Sequence, residues 1–165
     1  MRQFLTGVAL SALLAGANPA LAETPDDQLI VAFTMTNVLT MDPAAITGGE
    51  AVQVLNNVYD ALVELDPETK ALMPRLAESW EIGEDNLSIT FHLRPDAKFA
   101  SGNPLTAADV KYSFDRVMTL GQSQSSGLNS RGFTAEGVDD QFQVIDDQTF
   151  RMVMPEPGDP KMILM

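Results

Sequence analysis

The sequence predicts an α/β fold, and three of its stretches carry that prediction. Leu87 to Arg94 alternates apolar and polar residues, which is the period of a strand with one buried face. Gln28 to Met35 is an apolar run with β-branched residues, which predicts a buried strand. Glu50 to Leu62 carries apolar residues at helical spacing, and so does the segment after Thr106. Strands and helices thus share a chain of 165 residues, enough for about one domain.

The first 22 residues have the composition of a cleaved signal peptide. Arg2 supplies a positive charge, Phe4 to Ala17 is almost wholly apolar, and Ala20-Leu21-Ala22 gives the small-x-small cleavage pattern. A membrane anchor would need about 20 apolar residues, and this run is shorter. We therefore expect export and a mature chain of residues 23–165. Glu23, not a cysteine, follows the cleavage site, so we expect no lipid anchor.

The chain is strongly acidic, with 23 acidic and 10 basic residues and a net charge of −13. Such a chain repels nucleic-acid phosphates and anionic lipid headgroups, so neither is predicted as a partner. It has no cysteine, which excludes cysteine-ligated metal sites and thiol catalysis. His92 is the only histidine and lies on the polar face of its predicted strand. The sequence therefore predicts no metal site and no cofactor.

Turn residues separate the elements in the middle of the chain. Ala61 to Leu65 is compatible with a short strand, and Asp66 to Thr69 predicts a turn after it. Leu76 to Trp80 is typical of a short helix or an irregular piece. Gly83 to Asn86 predicts a polar turn before the alternating strand.

A well-marked helix begins after Thr106. Thr106 and Asp109 have the spacing of a capping box, and Gly102 and Pro104 fix the turn before it. The predicted buried stripe consists of Val110, Phe114 and Val117. The predicted outward residues are Lys111, Asp115 and Arg116. This stretch therefore predicts helix placement and gives no sign of reactivity.

The remaining chain predicts a loop and a hairpin. Gly121 to Gly132 has the composition of a flexible, exposed loop. Phe142 to Ile145 and Thr149 to Met154 flank a polar turn and predict a hairpin. The chain stops inside the apolar run 161–165, so we expect it to be a fragment of a longer protein.

The sequence contains few residues in patterns that are typical of catalytic sites. A serine triad needs a histidine base, and no base lies near Ser101 in sequence apart from the single His92. The chain has neither a nucleotide-binding Gly-x-Gly-x-x-Gly nor a P-loop. We therefore expect a protein that is not an enzyme, with a periplasmic enzyme kept as an alternative.

Lys98 to Met118, KFASGNPLTAADVKYSFDRVM, resembles the hallmark of the extracellular solute-binding proteins of family 5. The matching residues are Phe99, Gly102, Pro104, Leu105, Thr106, Ala107, Asp109, Val110, Tyr112, Ser113 and Arg116. Ala100-Ser101 departs from the commoner pair of the family. Further segments that resemble the family are Asp42-Pro43-Ala44, Asn57 to Val63, Pro74 to Trp80, Leu87 to Arg94 and Asp146 to Phe150.

This resemblance implies a fold of the periplasmic-binding-protein type II kind. Residues 23–165 would form an incomplete first lobe with its extra subdomain, truncated before the second lobe. In such folds the loop after the first strand faces the ligand cleft. The ligand-side candidates by this analogy are Thr34, Met35, Thr36 and Asn37.

The resemblance also implies a role in transport. The chain would be the periplasmic substrate-binding component of an ABC importer, which captures a peptide and delivers it to membrane permease subunits. A nonpeptide solute such as nickel, an opine or a sugar is the alternative. We expect the protein to be a monomer.

Overall fold

The computed structural model describes residues 27, 28, 30, 32, 34, 36, 38–156 and 159. The chain divides into two units, residues 1–33 and 34–165. The described residues of the first unit are exposed and lie outside helices and strands. The predicted signal peptide, residues 1–22, lies outside the described residues, as does the apolar run 161–165.

The predicted buried strand Gln28 to Met35 is wrong at the positions that the structure describes. Gln28, Ile30, Ala32 and Thr34 are exposed and have no strand conformation, and Ile30 is 69% exposed. An apolar run alone does not make a strand, since its backbone groups need a neighbouring strand to pair with. The alternate residues of this stretch lie outside the described part.

The second unit contains, in its described part, four helices and six strands. In chain order they are α1 (Gly49–Leu55), β1 (Val63–Leu65), β2 (Leu72–Pro74), β3 (Ala77–Ile82), β4 (Ser88–Leu93), α2 (Ala107–Leu120), α3 (Ser125–Asn129), α4 (Val138–Gln141), β5 (Phe142–Asp146) and β6 (Thr149–Val153). Strands β1 and β2 form a two-stranded sheet, and the larger sheet has the order β3-β4-β6-β5. All the pairings are antiparallel.

The two clearest strand predictions are confirmed. In β4, the side chains of Ile89, Phe91 and Leu93 are at most 2% exposed, so the alternating pattern does place one face in the core. Strands β5 and β6 form the predicted hairpin, and Phe150 and Met152 are buried. The period of two is a strong signal here because only one face of these strands is apolar.

A stack of phenylalanine rings joins the sheet to α2. The ring centroid of Phe114 in α2 lies 4.9 Å from that of Phe142 in β5 and 5.5 Å from that of Phe150 in β6. Phe133 extends the stack beyond Phe142 at 5.3 Å, and Phe91 in β4 lies 6.2 Å from Phe150. Four of the five rings are fully buried. The stack thus fixes α2 across the β5–β6 hairpin.

Helix α1 is shorter than predicted. The spacing predicts a helix from Glu50 to Leu62, but α1 ends at Leu55. Two asparagines follow, and the side-chain amide of Asn57 donates to the Gln53 carbonyl at 2.7 Å, competing with the helical pattern. Tyr59, which the prediction places on the buried stripe, is 52% exposed.

The prediction of a short helix or irregular piece at Leu76 to Trp80 is wrong. These residues largely belong to β3, which pairs with β4 so that Trp80 lies opposite Phe91. Helix-forming residues such as Ala77 and Glu78 lie in a strand because β4 pairs with Ala77 and with Ser79 to Ile82, although the register shifts between Ala77 and Ser79. Tertiary pairing overrides local propensity here.

The stretch Gly121 to Gly132 is more ordered than the loop that its composition predicts. It contains α3, and Ser125 is buried, with its hydroxyl donating to the Gln122 carbonyl at 2.7 Å. The hydroxyls of Ser125, Ser126 and Ser130 donate to backbone carbonyls three residues earlier, and Ser123 donates to the Ile46 carbonyl far away in sequence.

The stripe predicted on α2 is partly confirmed. Val110 is buried and Phe114 packs on the core, but Met118 is buried where Val117 was expected. Lys111, Asp115 and Arg116, which are predicted to face outward, are half-buried, and their charges are paired. Lys111 Nζ lies 2.6 Å from Asp115 Oδ2, while Arg116 reaches a distant loop.

We predict that Phe142→Ala lowers the free energy of unfolding by about 3–5 kcal/mol, because it leaves a cavity between three other rings. Urea denaturation of the full chain, followed by circular dichroism, measures this change. Val144→Ala is the matched control, since Val144 lies on the same strand but is 41% exposed. Equal losses in the two variants would contradict the role of the ring stack.

Candidate functional site

The hallmark stretch begins with a tight turn. Gly102 has φ +88°, a conformation that other residues rarely adopt. The Gly102 N–H donates to the Phe99 carbonyl at 2.8 Å, and the Phe99 N–H donates to the Asn103 carbonyl at 2.9 Å. The hydroxyl of Ser101 accepts a hydrogen bond from the Asn103 N–H at 3.4 Å. Ser101 therefore supports the turn, as a scaffold residue would.

The predicted capping box at the start of α2 is confirmed. Asp109 Oδ2 accepts hydrogen bonds from the Thr106 backbone N–H and from the Thr106 hydroxyl, both at 2.8 Å. The Ala107 N–H donates to the Asp147 carbonyl in the β5–β6 turn at 2.8 Å. The start of α2 is thus fixed both by its own cap and by the hairpin.

An ion pair joins α2 to a loop far away in sequence. The Arg116 guanidinium makes two hydrogen bonds to the Asp42 carboxylate, with Nη1 donating to Oδ1 at 2.7 Å and Nη2 donating to Oδ2. The two residues are 74 positions apart, and their side chains are 35% and 30% exposed. This bidentate geometry is the strong form of a carboxylate–guanidinium pair.

The same contact sets the electrostatics of Asp42. Its hydrogen bond from Arg116, together with that from the Ala44 N–H, holds the pKa of Asp42 below its ordinary value. In turn, the Asp42 carboxylate raises the pKa of Arg116. Both side chains therefore remain charged at neutral pH.

The loop from Val38 to Gly48 is further shaped by its own hydrogen bonds. Asp42 Oδ1 accepts from the Ala44 N–H at 3.0 Å, and the Ala45 N–H donates to the Asp42 carbonyl at 3.0 Å. At the other end of the loop, the Ile46 carbonyl accepts from Ser123 Oγ at 2.7 Å and from Gln124 Nε2 at 3.0 Å. Asp42 thus both forms a turn and anchors it to α2.

A shallow hollow of about 550 Å³ lies between this loop and α2. Tyr59 and Tyr112 on its wall are 52% and 66% exposed. The lining residues are Met41, Asp42, Pro43, Ala44, Tyr59, Tyr112, Ser113, Arg116 and Val117. Aromatic faces beside a charged pair suit binding, and the hollow contains no histidine or cysteine that could act as a base or a thiol nucleophile.

The structure brings two of the predicted ligand-side residues together. Thr34 and Thr36 are exposed, their hydroxyls are hydrogen-bonded to each other, and the Thr36 N–H donates to Thr34 Oγ1 at 3.2 Å. Met35 and Asn37 lie outside the described residues. Exposed hydroxyls can bind polar groups of a solute. The role of this segment in ligand binding stays a prediction.

Two further searches concern the described part of the chain. Within it, no three histidine, cysteine, aspartate or glutamate side chains are grouped so that they could hold a metal ion. Nor does any described helix have the length and apolar character to cross a membrane.

Comparisons with known proteins found a family profile and curated relatives that match this chain. The profile of the bacterial extracellular solute-binding proteins, family 5 Middle, matches residues 71–165. The probable ABC transporter periplasmic-binding protein SapA of Escherichia coli is 34% identical over 130 residues, which cover 71% of this chain and 24% of SapA. The chain spans 21–29% of the length of the first curated relatives it matches.

Two solved structures share the fold. Haemophilus influenzae OppA, in complex with the peptide RPPGFSPFR, has a TM-score of 0.64 and 29% identity over 72% of this chain and 25% of its own. MoaA of A. tumefaciens R10, in complex with mannopinic acid, has a TM-score of 0.64 and 30% identity over 78% of this chain and 25% of its own. The expected type II periplasmic-binding-protein fold is confirmed for the part that this chain covers.

We predict that Asp109→Ala lowers the free energy of unfolding by about 1 kcal/mol, because the first turn of α2 loses its cap. Urea denaturation gives the value. Asp96→Ala is the control, since the Asp96 side chain is 83% exposed and lies 3.8 Å from its partner Arg94. A change below that of the control would show that the hallmark does not serve to cap the helix.

We also predict that the stabilising effect of Asp42 depends on pH. Because folding lowers the pKa of Asp42, its contribution is present above the ordinary value and is lost as the pH falls through the lowered one. The wild type should be more stable than Asp42→Asn at pH 7, and the difference should fade as the pH falls through the ordinary value of 3.8 and then through the lowered one. Urea denaturation across this range checks it, and a difference that grows on acidification would refute it.

Proposed function

Because the chain belongs to the bacterial extracellular solute-binding proteins of family 5, we propose that it captures a solute for an ABC importer. The single observation that carries this proposal is the family match over residues 71–165, which includes the hallmark turn and the capped helix α2. The protein acts in the periplasm, after removal of residues 1–22, as a monomer that delivers its solute to membrane permease subunits.

The proposed mechanism is binding without chemistry. In a two-lobed binding protein, solute contacts favour the closed arrangement of the lobes, and the permease then receives the loaded form. Residues 23–165 supply the first part of one lobe, with its extra subdomain. The Thr34–Asn37 segment faces the solute, and the exposed hydroxyls of Thr34 and Thr36 support that assignment.

The proposed solute is a peptide. The similar fold of H. influenzae OppA holds the peptide RPPGFSPFR, which supports this solute class. The second candidate is a nonpeptide organic acid, since MoaA, which is similar over a comparable share of the chain, holds mannopinic acid. Under both candidates the protein has the same role in import, and only the bound solute differs.

We predict that deleting the gene in its native bacterium abolishes uptake of one of two radiolabelled probes, trialanine or mannopinic acid. The reason is that a permease without its binding component receives no solute. Uptake over the first minutes is measured in wild type, deletion strain and complemented strain. Complementation with the intact gene should restore uptake.

The matched control is a gene copy that encodes residues 23–165 without residues 1–22. It should fail to restore uptake if the protein works outside the cytoplasmic membrane. A deletion strain that imports both probes at the wild-type rate would contradict the proposed role. Restoration by the control copy would contradict the periplasmic location.

A further inference from the structure

The Asp42 loop belongs to a small core of its own. Ile46, Ala51 and Leu55 are buried together, with Val38 packed against them, and this cluster is separate from the core between α2 and the sheet. Three buried residues give little apolar stabilisation compared with the main core. The position of the loop on α2 must therefore depend strongly on its polar contacts.

Those polar contacts occur at two points. Asp42 is bound by Arg116 within α2, and the Ile46 carbonyl is bound by Ser123 and Gln124 just after the helix ends. A single contact would leave the loop free to rotate about it, whereas two contacts fix its orientation. The first of these is the ion pair, and Asp42 Oδ1, which Arg116 binds, also accepts a hydrogen bond from the Ala44 N–H.

The ion pair can open without disturbing the main core. About a third of each side chain is exposed, and neither residue belongs to the apolar core. Segments with few buried apolar contacts open locally at a much lower free-energy cost than the whole domain. Loss of this pair should thus loosen the loop while the sheet and α2 keep their structure.

We propose that Asp42 and Arg116 are positioning residues, which hold the loop 38–48 on α2 and thereby orient Thr34 and Thr36 for solute capture. The second half of this statement rests on the proposed function, and the first half does not. Thr36 lies six residues before Asp42 and two before Val38, which packs on the small core beside the loop. The residues act through the loop and need no contact with the solute.

Hydrogen exchange of the full chain tests the first half. In Asp42→Asn, the Ala44 and Ala45 amides should exchange roughly tenfold faster, the change expected for loss of a charge-assisted hydrogen bond. The Phe91 and Phe150 amides in the sheet should exchange as in the wild type. Asn retains the shape and an acceptor oxygen of Asp, so this variant removes the charge with little other change.

Further variants separate the pair from its surroundings. Arg116→Gln should give the same local change, and the double variant should add little, because both substitutions remove one interaction. Arg116→Lys should give a smaller change, since lysine keeps the charge but loses the bidentate fork. Glu64→Gln is the matched control, because it breaks the exposed pair with Arg75 in the β1–β2 hairpin and should leave the loop unchanged.

Uptake kinetics test the second half. In the complemented strain, Asp42→Asn should raise the KM for uptake of the trialanine or mannopinic acid probe while the maximal rate is kept, and Glu64→Gln should alter neither. Unchanged exchange at Ala44 and Ala45 would overturn the proposal, and so would faster exchange throughout the sheet. Faster local exchange with an unchanged KM would overturn the link to capture. If the wild type imports neither probe, the proposed function fails, and hydrogen exchange still decides whether the pair holds the loop.

Discussion

The stacking of Phe114 on Phe142 and Phe150 is the interaction on which the rest of the described structure depends. It presses α2 against the β5–β6 hairpin, and the buried rings exclude water from the contact between helix and sheet. Because the axis of α2 is fixed in this way, Arg116 on the same helix has a fixed position. The position of the loop that Arg116 binds therefore depends on the ring contacts of Phe114, which are made on another side of the helix.

Apolar contacts dominate in the main core, whereas polar contacts dominate in the loop around Asp42. The main core supplies most of the stability, because burial of large side chains is favourable in nearly any direction. The loop around Asp42 has a small core, and its polar contacts are directional, so they determine orientation more than stability. The ion pair and the two bonds to the Ile46 carbonyl hold the loop at two points, so they fix its orientation on α2.

The sequence predicts those elements whose signals are local. The alternation in β4, the β5–β6 hairpin and the capping box of Thr106 and Asp109 each lie within a few residues of chain, and the structure has all three. The sequence does not predict β3, because the strand conformation of Leu76 to Trp80 depends on pairing with β4. Nor does it predict α3, whose serines bond to carbonyls of its own turns. In β3 a strand outside the local pattern decides the conformation, whereas in α3 hydrogen bonds within the segment do so.

The pair of Asp42 and Arg116 shows most clearly what a single sequence leaves out. A charged residue on the polar side of a helix predicts solvation, and nothing in the pattern of α2 names a partner 74 residues away. Each residue lies in a segment that resembles a family motif. Two such matches in a sequence do not show that the two segments are in contact. In the structure the Asp-Pro turn and the hallmark helix are joined by the hydrogen bonds between Asp42 and Arg116. The hallmark helix therefore carries one of the two residues that hold the loop around Asp42.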